Sequence, residues 1–286
     1  MKITYIKIKK SREITQKGRL LFLDLKGIAS ITFDNAFVVR NIKIFENEKG
    51  IFVGMPSIKR KLKKEEEDLI QKEEETIAQM EVLMTQGKLD DNEKEKLSQI
   101  KYQNKKRKKR RFPEIAHPIN TETRAIIVQT ISDYYRQMIQ KSENKIEVSL
   151  NSDFDYNDFQ ITSVRIKKKY KSQNRLRGIA SITFDNAFAI HNIKIIEGDK
   201  GIFIAMPSIP KFIKENENKE DEKNINLKDK IDIKEKKFVN TLDFPKFLDI
   251  AHPINSVIRN KIEESIKKHF EEMLNRSQDY IETKDL

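Results

Sequence analysis

An internal repeat constrains the fold of this chain more than any other feature of its sequence. The segment GIASITFDNAF at 27–37 recurs without change at 178–188. Shorter blocks follow in the same order, since residues 41–44, 49–52, 55–58 and 115–120 return as 192–195, 200–203, 206–209 and 250–255. A repeat of this extent predicts one fold encoded twice, with internal pseudo-symmetry between the copies.

The spacing of the copies indicates two domain-sized units. The long repeated segments are offset by 151 residues in a chain of 286, which is a common size for a small domain. We expect a first repeat over 1–141 with an insertion at 59–111, and a second repeat over 161–286 with a mobile insertion at 210–246. The polar, partly acidic stretch 142–160 is typical of a linker.

In each copy, a series of strand signals precedes the signal for one helix. Residues 3–10 alternate apolar and basic side chains, as a half-buried strand does, and 161–168 repeat that pattern. Two runs rich in β-branched and aromatic residues, 28–33 and 37–45, predict the next strands. The pair Asp34-Asn35 between them favours a two-residue hairpin, because both residue types tolerate a left-handed backbone.

An amphipathic helix is predicted after the strands of each repeat, with Asn120 and Asn255 as its N-cap residues. Apolar residues three and four apart predict the buried faces: Ile127, Ile131, Tyr134 and Met138 in the first helix, and Ile258, Ile262, Ile266, Phe270 and Leu274 in the second. Each repeat is therefore predicted to be an α+β unit, an antiparallel β-sheet with a C-terminal helix.

The first insertion has the pattern of a helical hairpin. Gly87 is suited to end one helix and Asp90 to cap the next. An apolar stripe follows one side of it, at Leu62, Leu69, Ile70, Ile77, Met84, Leu97 and Ile100. The hairpin over 62–102 is thus a candidate surface for another protein or for a second copy of the chain.

Composition excludes several classes of protein. The chain has no cysteine, so disulfides and thiolate metal sites cannot form. No apolar run reaches the ~18 residues that a membrane-spanning helix needs, and residues 1–10 mix lysines with apolar residues instead of forming a signal peptide. We expect a cytoplasmic protein that does not enter a membrane.

The net charge of +12 indicates an anionic partner. A cationic surface attracts polyanions through a long-range field that salt weakens, and nucleic acid is the commonest such partner. Anionic lipid is the lesser alternative, because no basic helix with an apolar face is present. A charge that serves only solubility is a further interpretation.

The repeated blocks resemble a known protein family. GIASITFD, FVVRNIKI, GIFVGMPS and IAHPIN resemble, in that order, the bacterial septation protein family SpoVG, and both halves match. The resemblance implies a sheet-and-helix fold in which two units pair through their sheets. It also implies sequence-preferring DNA binding, RNA binding, and transcription regulation linked to cell-division septation or sporulation. SpoVG proteins are usually single short domains, so this chain resembles a fused tandem pair.

The resemblance also singles out basic positions that would contact nucleic acid. They belong to the family's basic loop after Met-Pro-Ser and to the start of its helix. In this chain the matching residues are Lys59, Arg60 and Arg124 in the first repeat, and Lys211, Arg259 and Lys261 in the second. The chain departs from the family by Ile58 before Lys59, by Ile126 in place of a lysine, and by its long insertions.

The densest positive charge lies at the end of the predicted hairpin. Seven basic residues are consecutive there: Lys105, Lys106, Arg107, Lys108, Lys109, Arg110 and Arg111. If all of them contacted phosphates, the logarithm of the affinity would fall with the logarithm of salt with a slope of roughly −6. We favour phosphate binding over the alternatives, a solvated run or a neighbour for the acidic stretch 65–75.

The repeated polar residues do not indicate an enzyme. A Ser-His-Asp set would require that three side chains meet in space, and Asp34 is better explained as a turn residue and His117 as a loop residue. Ser57 lies beside a proline, outside a Gly-x-Ser-x-Gly elbow. Four histidines without cysteine do not form a metal motif, and no glycine-rich phosphate loop is present. We expect no cofactor.

The sequence therefore predicts a non-enzymatic regulator that binds DNA, with RNA as a further partner. Fusion makes the pairing of the repeats intramolecular, at an effective concentration of order millimolar, so we expect a pseudo-dimer within one chain. The alternative is a protein–protein adaptor in septum control that acts through the hairpin and does not contact nucleic acid.

Overall fold

The structure is a computed structural model that describes residues 1–11, 15–16, 19–20, 25–150, 159–169, 175–210 and 247–284. The first half of the chain contains, in order, β1 (Ile3–Lys10), β2 (Thr15–Gln16), β3 (Arg19–Leu20), β4 (Leu25–Phe33), β5 (Phe37–Asn47), β6 (Gly50–Gly54), α1 (Lys64–Thr85), α2 (Asp91–Arg110), β7 (Ala116–Pro118), α3 (Thr121–Gln140) and β8 (Lys145–Ser149). The second half contains β9 (Ile161–Lys168), β10 (Leu176–Phe184), β11 (Phe188–Gly198), β12 (Gly201–Ala205), β13 (Ser208–Pro210), β14 (Phe247–Asp249), β15 (Ala251–Pro253), α4 (Ser256–Asn275) and β16 (Tyr280–Lys284).

Two six-stranded antiparallel sheets organise these elements. The strand order in the first sheet is β15-β5-β4-β1-β8, and β6 pairs with the remaining part of β5. The order in the second sheet is β12-β11-β10-β9-β16, and β7 pairs with the remaining part of β11. One long helix, α3 or α4, packs against each sheet. The predicted pair of α+β repeats is confirmed.

The hairpin between β4 and β5 has the predicted geometry. Asp34 and Asn35 have φ angles of 52° and 47°, and Ala36 donates its backbone N–H to the carbonyl oxygen of Phe33 at 2.8 Å. The second copy repeats this turn with φ of 49° at both central positions. Positive φ at both positions is the requirement of a type I′ turn, so the left-handed hairpin is confirmed.

The two repeats exchange a short strand. β7 belongs to the first repeat but pairs with 188–190 of β11, whereas β15 belongs to the second repeat but pairs with 37–39 of β5. Both exchanged strands carry the repeated Ala-His-Pro motif. Each sheet therefore contains a strand from the other repeat, and the expected pairing of the repeats within the chain is confirmed.

Phenylalanine rings fill the junction between the two sheets. Phe33 contacts Phe188 with ring centroids 5.1 Å apart, and Phe37 contacts Phe184 at 5.2 Å. Phe159 adds a third contact, 4.6 Å from Phe184. All of these side chains are buried and belong to one continuous core that includes residues of both repeats. Full burial of such a side chain contributes about 1.5–3 kcal/mol, so the junction is a major part of the fold's stability.

The predicted N-caps of the two long helices are present. The side-chain oxygen of Asn120 accepts the N–H of Thr123 at 2.7 Å, and that of Asn255 accepts the N–H of Ile258 at 2.8 Å. None of the helices in the described part of the chain has an apolar stretch long enough to cross a membrane.

The buried faces of these helices differ from the prediction near their ends. Tyr135 is buried in place of Tyr134, because its ring reaches the first sheet, where the hydroxyl donates to Glu46 at 3.3 Å. Met273 is buried, whereas the predicted Leu274 is 41% exposed. The series predicted for α4, from Ile258 to Leu274, is spaced by four residues throughout. It therefore rotates away from one face of a helix with 3.6 residues per turn.

The first insertion is the predicted helical hairpin, formed by α1 and α2. Gly87 adopts φ of 67° after α1, and Asp90 caps α2 by accepting the N–H of Glu93 at 2.7 Å. Leu62, Ile70 and Leu97 of the predicted stripe are buried, but Leu69 and Met84 are 41% and 49% exposed. The two helices are each other's main neighbours, and the stripe is covered only in part.

The expected linker over 142–160 is partly a strand. Residues 145–149 form β8, which pairs with β1 in the first sheet, and β16 pairs with β9 in the same way. Residues 145–149 alternate polar and apolar side chains, which is the pattern of a half-buried strand, but the polar stretch around them was interpreted as a linker. Of the expected insertion at 210–246, the described part is Pro210, which ends β13 beside β14; residues 211–246 lie outside the described residues.

Candidate nucleic-acid interface

The consecutive basic residues lie on α2 and the position after it, and α1 neutralises one side of this run. Three of its cations pair with glutamates of α1: Arg107 with Glu73 at 3.0 Å, Lys108 with Glu74, and Arg111 with Glu67 at 3.7 Å. The interpretation of the run as a neighbour of the acidic stretch 65–75 is therefore correct for these three residues. Their charges are offset within the hairpin.

Three other cations of the run remain available. Lys105, Lys106 and Arg110 are exposed, and no carboxylate among the described residues pairs with them. Residues of a helix that are one or two positions apart lie on different sides of it, so a run of seven consecutive cations cannot all face α1. We refer to Lys105, Lys106 and Arg110 as the outer cations of α2; Arg110 also lines a small cavity with Glu66 and Leu69 of α1. The backbone of Lys109 is part of α2 as well.

The segment after β6 brings two further predicted residues to this end of the hairpin. Arg60 donates its backbone N–H to the carbonyl oxygen of Arg111 at 2.7 Å, and its guanidinium donates to Glu66 at 3.0 Å. Lys59 is exposed and has no acidic partner among the described residues. Lys59 therefore adds to the positive charge beside α2, whereas Arg60 holds the start of α1.

The basic residues predicted at the helix starts are engaged by the protein itself. Arg124 contacts Glu114 at 3.3 Å, and Arg259 lies 3.8 Å from Glu263. Lys261 donates to the backbone oxygen of Phe159 at 2.5 Å. Lys211 lies outside the described residues. Arg124, Arg259 and Lys261 are thus each held by a partner within the protein.

A groove on the outward face of the first sheet was missed by the sequence reasoning. Alternation along β1 buries Ile6 and Ile8 under α3 and turns Tyr5 and Lys9 to the opposite face. The groove has a volume of about 700 Å³. Its lining combines apolar side chains, one aromatic ring and cations: Ile28, Val38, Ile254, Tyr5, Lys9, Lys10 and Arg40.

A β-bulge places Arg40 in this groove. The register between β4 and β5 shifts after Ala29, and Asn41 adopts φ of 62° at that point. A bulge of this kind changes the direction of the adjacent side chain and is common next to binding sites. Arg40 is half-buried, and none of the described carboxylates pairs with it.

At the equivalent place in the second sheet, the groove is smaller and is lined by one arginine, which is paired. Its volume is about 360 Å³, and Arg165 donates to Glu282 at 2.7 Å. His191 occupies the position of Arg40, with Nδ1 2.9 Å from Oγ of Ser181 and Nε2 3.1 Å from Nε2 of His117. Burial, with His117 and Arg165 nearby, lowers the pKa of His191 to about 4.

Within the described ranges, the serine, histidine and aspartate residues of the two repeats do not form a catalytic triad at hydrogen-bond distance. His191 contacts Ser181 through one ring nitrogen, but its other nitrogen contacts His117 rather than a carboxylate. The turn residues Asp34 and Asp185 accept backbone N–H groups at 2.6 and 3.1 Å. These contacts match the structural role expected for Asp34.

Comparison with known proteins assigns the repeats to a family. The SpoVG family model matches residues 1–87 and 159–272, which together are more than half of the chain. A protein of Clostridium acetobutylicum named "Putative septation protein SpoVG" is 36% identical over 126 residues, covering 44% of this chain and 99% of that protein. Proteins with the same name from Phytoplasma australiense and Onion yellows phytoplasma are 39% and 40% identical over 115 and 114 residues, covering 86% and 83% of their lengths and 40% of this chain.

The aligned lengths agree with the internal repeat of the chain. Each of these relatives aligns over most of its own length but over less than half of this chain. The family model matches once on each side of the unmatched stretch 88–158, in agreement with the two sheet-and-helix units of the structure. The chain therefore belongs to the SpoVG family and carries the module of that family twice.

Proposed function

We propose that this protein binds nucleic acid through the outer cations of α2 and regulates gene expression linked to septation. DNA is the main partner in this proposal, RNA is a further one, and no catalysis is involved. The name of its relatives refers to septation, and we extend that role to this chain. Strand exchange between the repeats supports the further proposal that one chain acts as an intramolecular pseudo-dimer.

One observation carries the proposal. Lys105, Lys106 and Arg110 are exposed and have no carboxylate partner in the described part of the chain, whereas Arg107, Lys108 and Arg111 of the same run are offset by α1. Three cations that contact three phosphates release counterions and contribute a salt slope of about −2.7. The net charge of +12 adds long-range attraction.

A titration of a fluorescent DNA duplex over a series of salt concentrations tests the proposal. The variant Lys105→Gln/Lys106→Gln/Arg110→Gln is compared with Lys49→Gln/Lys200→Gln/Lys268→Gln. The control removes the same charge from exposed lysines elsewhere. We expect weaker binding and a slope shallower by about 2.7 for the first variant, and a smaller change for the control.

Two results would count against the proposal. Equal losses in the two variants would mean that net charge, and not the hairpin surface, attracts the duplex. If the unaltered protein binds neither DNA nor RNA at low salt, the function as a nucleic-acid-binding regulator is rejected.

A protein–protein adaptor is the second candidate function. It is supported by exposed apolar residues at the tip of the hairpin. Val82, Leu83 and Met84 at the end of α1 are 55%, 40% and 49% exposed. Contiguous exposed apolar residues are common at protein interfaces. A partner that co-purifies with the full chain should be lost with Val82→Ser/Leu83→Ser/Met84→Ser and retained with Leu69→Ser on the same helix. Retention in both variants would exclude the tip as the contact.

A further inference from the structure

We propose that the groove on the outward face of the first sheet binds a segment of single-stranded nucleic acid. The inference rests on the proposed function for the class of ligand, but it uses a different surface from the outer cations of α2. The equivalent groove of the second sheet is not part of this site, so we infer one such site per chain.

The lining of the groove has the chemistry that a nucleotide requires. Ile28 and Ile254 are 40% and 49% exposed, and with Val38 they form an apolar surface that a base could cover. The ring of Tyr5 lies in the same groove, and aromatic rings on a sheet are platforms on which bases stack. The nearby cations Lys9, Lys10 and Arg40 would meet the phosphates.

The aromatic ring is held in place before any ligand binds. The hydroxyl of Tyr5 bonds to Glu147 on the neighbouring strand β8, and burial together with this bond raises the pKa of Tyr5. Lys7 and Lys145 each donate to the same carboxylate at 2.6 Å. Tyr5, Lys7 and Lys145 thus all bond to Glu147, and these bonds fix the ring of Tyr5. Lys9, Lys10 and Arg40 have no carboxylate partner in the described part of the chain.

The shape of the groove favours a single strand over a duplex. Its volume of about 700 Å³ lies within the range of about 300–1,000 Å³ in which sites enclose small ligands, and this is the scale of one or two nucleotides. The bases of a duplex are paired and stacked, so that only their edges are accessible. An apolar floor beside an aromatic ring needs the flat face of a base, which a single strand can present.

The second repeat provides an internal comparison. Ser163 occupies the position of Tyr5 and therefore offers no ring, and His191 occupies the position of Arg40. Arg165, the one lysine or arginine in the described lining of the second groove, is paired with Glu282, as its counterpart Lys7 is with Glu147. The two grooves of the same fold therefore differ in the aromatic ring, in the arginine and in volume.

The exchanged strand completes the site in the first sheet. Ile254 follows β15 of the second repeat, and its backbone N–H donates to the carbonyl oxygen of Ala36 at 2.9 Å. One wall of the groove therefore comes from the other repeat. A single unexchanged repeat would lack it.

The test measures binding of a short labelled oligouridine to the full chain. The variant Tyr5→Ser/Arg40→His carries the two residues that the second repeat has at these positions, so both are compatible with the fold. We expect at least a tenfold loss of affinity for the oligouridine and less than a threefold change for the DNA duplex. The Gln variant of the outer cations should show the reverse pattern.

A matched control and a direct readout complete the design. Ser163→Ala/Arg165→Gln alters the second groove and should leave oligouridine binding unchanged. Photo-crosslinking of a thiouridine-containing oligonucleotide should label Tyr5 or its neighbours on β1 and β4. Thermal melting of each variant checks that the fold is intact.

Several outcomes would overturn the inference. They are unchanged oligouridine binding by folded Tyr5→Ser/Arg40→His, crosslinks confined to other elements, and displacement by uridine monophosphate at the same concentration as by the oligouridine. If the protein binds the duplex but not the oligouridine, this inference fails and the proposed function stands. If it binds neither, both fail.

Discussion

His117 of the first repeat meets His191 of the second with their Nε2 atoms 3.1 Å apart, where β7 joins β11. One nitrogen of such a pair must accept the proton that the other donates, so at least one ring has to be neutral. The lowered pKa of His191 agrees with this requirement. In the first sheet, Arg40 replaces this histidine, and no histidine pair can form beside His252.

Acid should therefore weaken the fold at this junction. An unfolded histidine takes up a proton near pH 6.5, whereas folded His191 does so near pH 4. The contribution of the neutral ring is fully present above about pH 6.5 and is lost as the pH falls toward 4. We expect the melting temperature to fall across this window, and to fall less in His191→Arg, which copies the residue of the first repeat.

The comparison of the wild type with His191→Arg isolates the contribution of His191 to the pH dependence of stability. Burial raises the pKa of Asp34, and this group acts in the opposite direction because the folded protein then takes up its proton more readily. Since Asp34 is common to both proteins, it cancels in the difference. Identical pH profiles of melting for the wild type and His191→Arg would contradict the role assigned to the pair.

Removal of an aromatic ring from the repeat junction should cost far more stability than removal of an exposed one. Phe184 is 1% exposed and contacts Phe37 and Phe159, so Phe184→Ala should lower the free energy of unfolding by about 3–5 kcal/mol. Phe203 on β12 is 54% exposed, and Phe203→Ala should change it by less than about 0.5 kcal/mol. Urea denaturation followed by circular dichroism measures both values. Similar losses in the two variants would refute the proposed contribution of the junction to the free energy of unfolding.

The two asparagine caps should contribute independently. Asn120→Ala and Asn255→Ala each remove an acceptor for a helix N–H, which should cost about 1 kcal/mol. The caps lie on different helices, so the double variant should lose close to the sum. Asn275→Ala at the exposed end of α4 serves as the control. Denaturation curves in which the cap variants match this control would show that the caps add no stability.

Strand exchange within the chain should produce a monomer. β5 and β11 each already pair with an Ala-His-Pro strand, so neither needs a second chain. Light scattering should give a mass near 33.8 kDa. A stable species of twice that mass would indicate that exchange occurs between chains.

The repeats should also unfold in a single transition, because each sheet contains a strand of the other repeat. Far-ultraviolet circular dichroism reports the sheets, and near-ultraviolet signals report the packed aromatic rings. Coincident denaturation curves are expected from the two probes. Two separate transitions would mean that the sheets fold as independent domains.

Local side-chain chemistry allowed several elements to be predicted. The left-handed turn at Asp34-Asn35, the caps at Asn120 and Asn255, and the hairpin with its break at Gly87 each depend on residues close together in sequence. The strand β8 depends instead on the free edge of β1, and its alternating residues do not show which strand it pairs with. Periodicity could not show this pairing because the partner is more than a hundred residues away.

The candidate nucleic-acid surfaces show the same division. The sequence displays a run of seven cations, but packing of α2 on α1 offsets Arg107, Lys108 and Arg111. The groove at Tyr5 and Arg40 has no continuous signal, because its residues come from β1, β4, β5 and the segment after β15. The visible hints are two differences between otherwise similar strands, Arg40 against His191 and Tyr5 against Ser163.

The sequence by itself determined that one sheet-and-helix module occurs twice, because the same turn, strand and cap residues recur in the same order. Only the tertiary structure decided which Ala-His-Pro strand joins which sheet. Residues 37–39 and 188–190 present nearly the same backbone edge and the same leading phenylalanine, so local hydrogen bonding does not distinguish the two partners. The path of the chain and the packing of the phenylalanine junction decide between them.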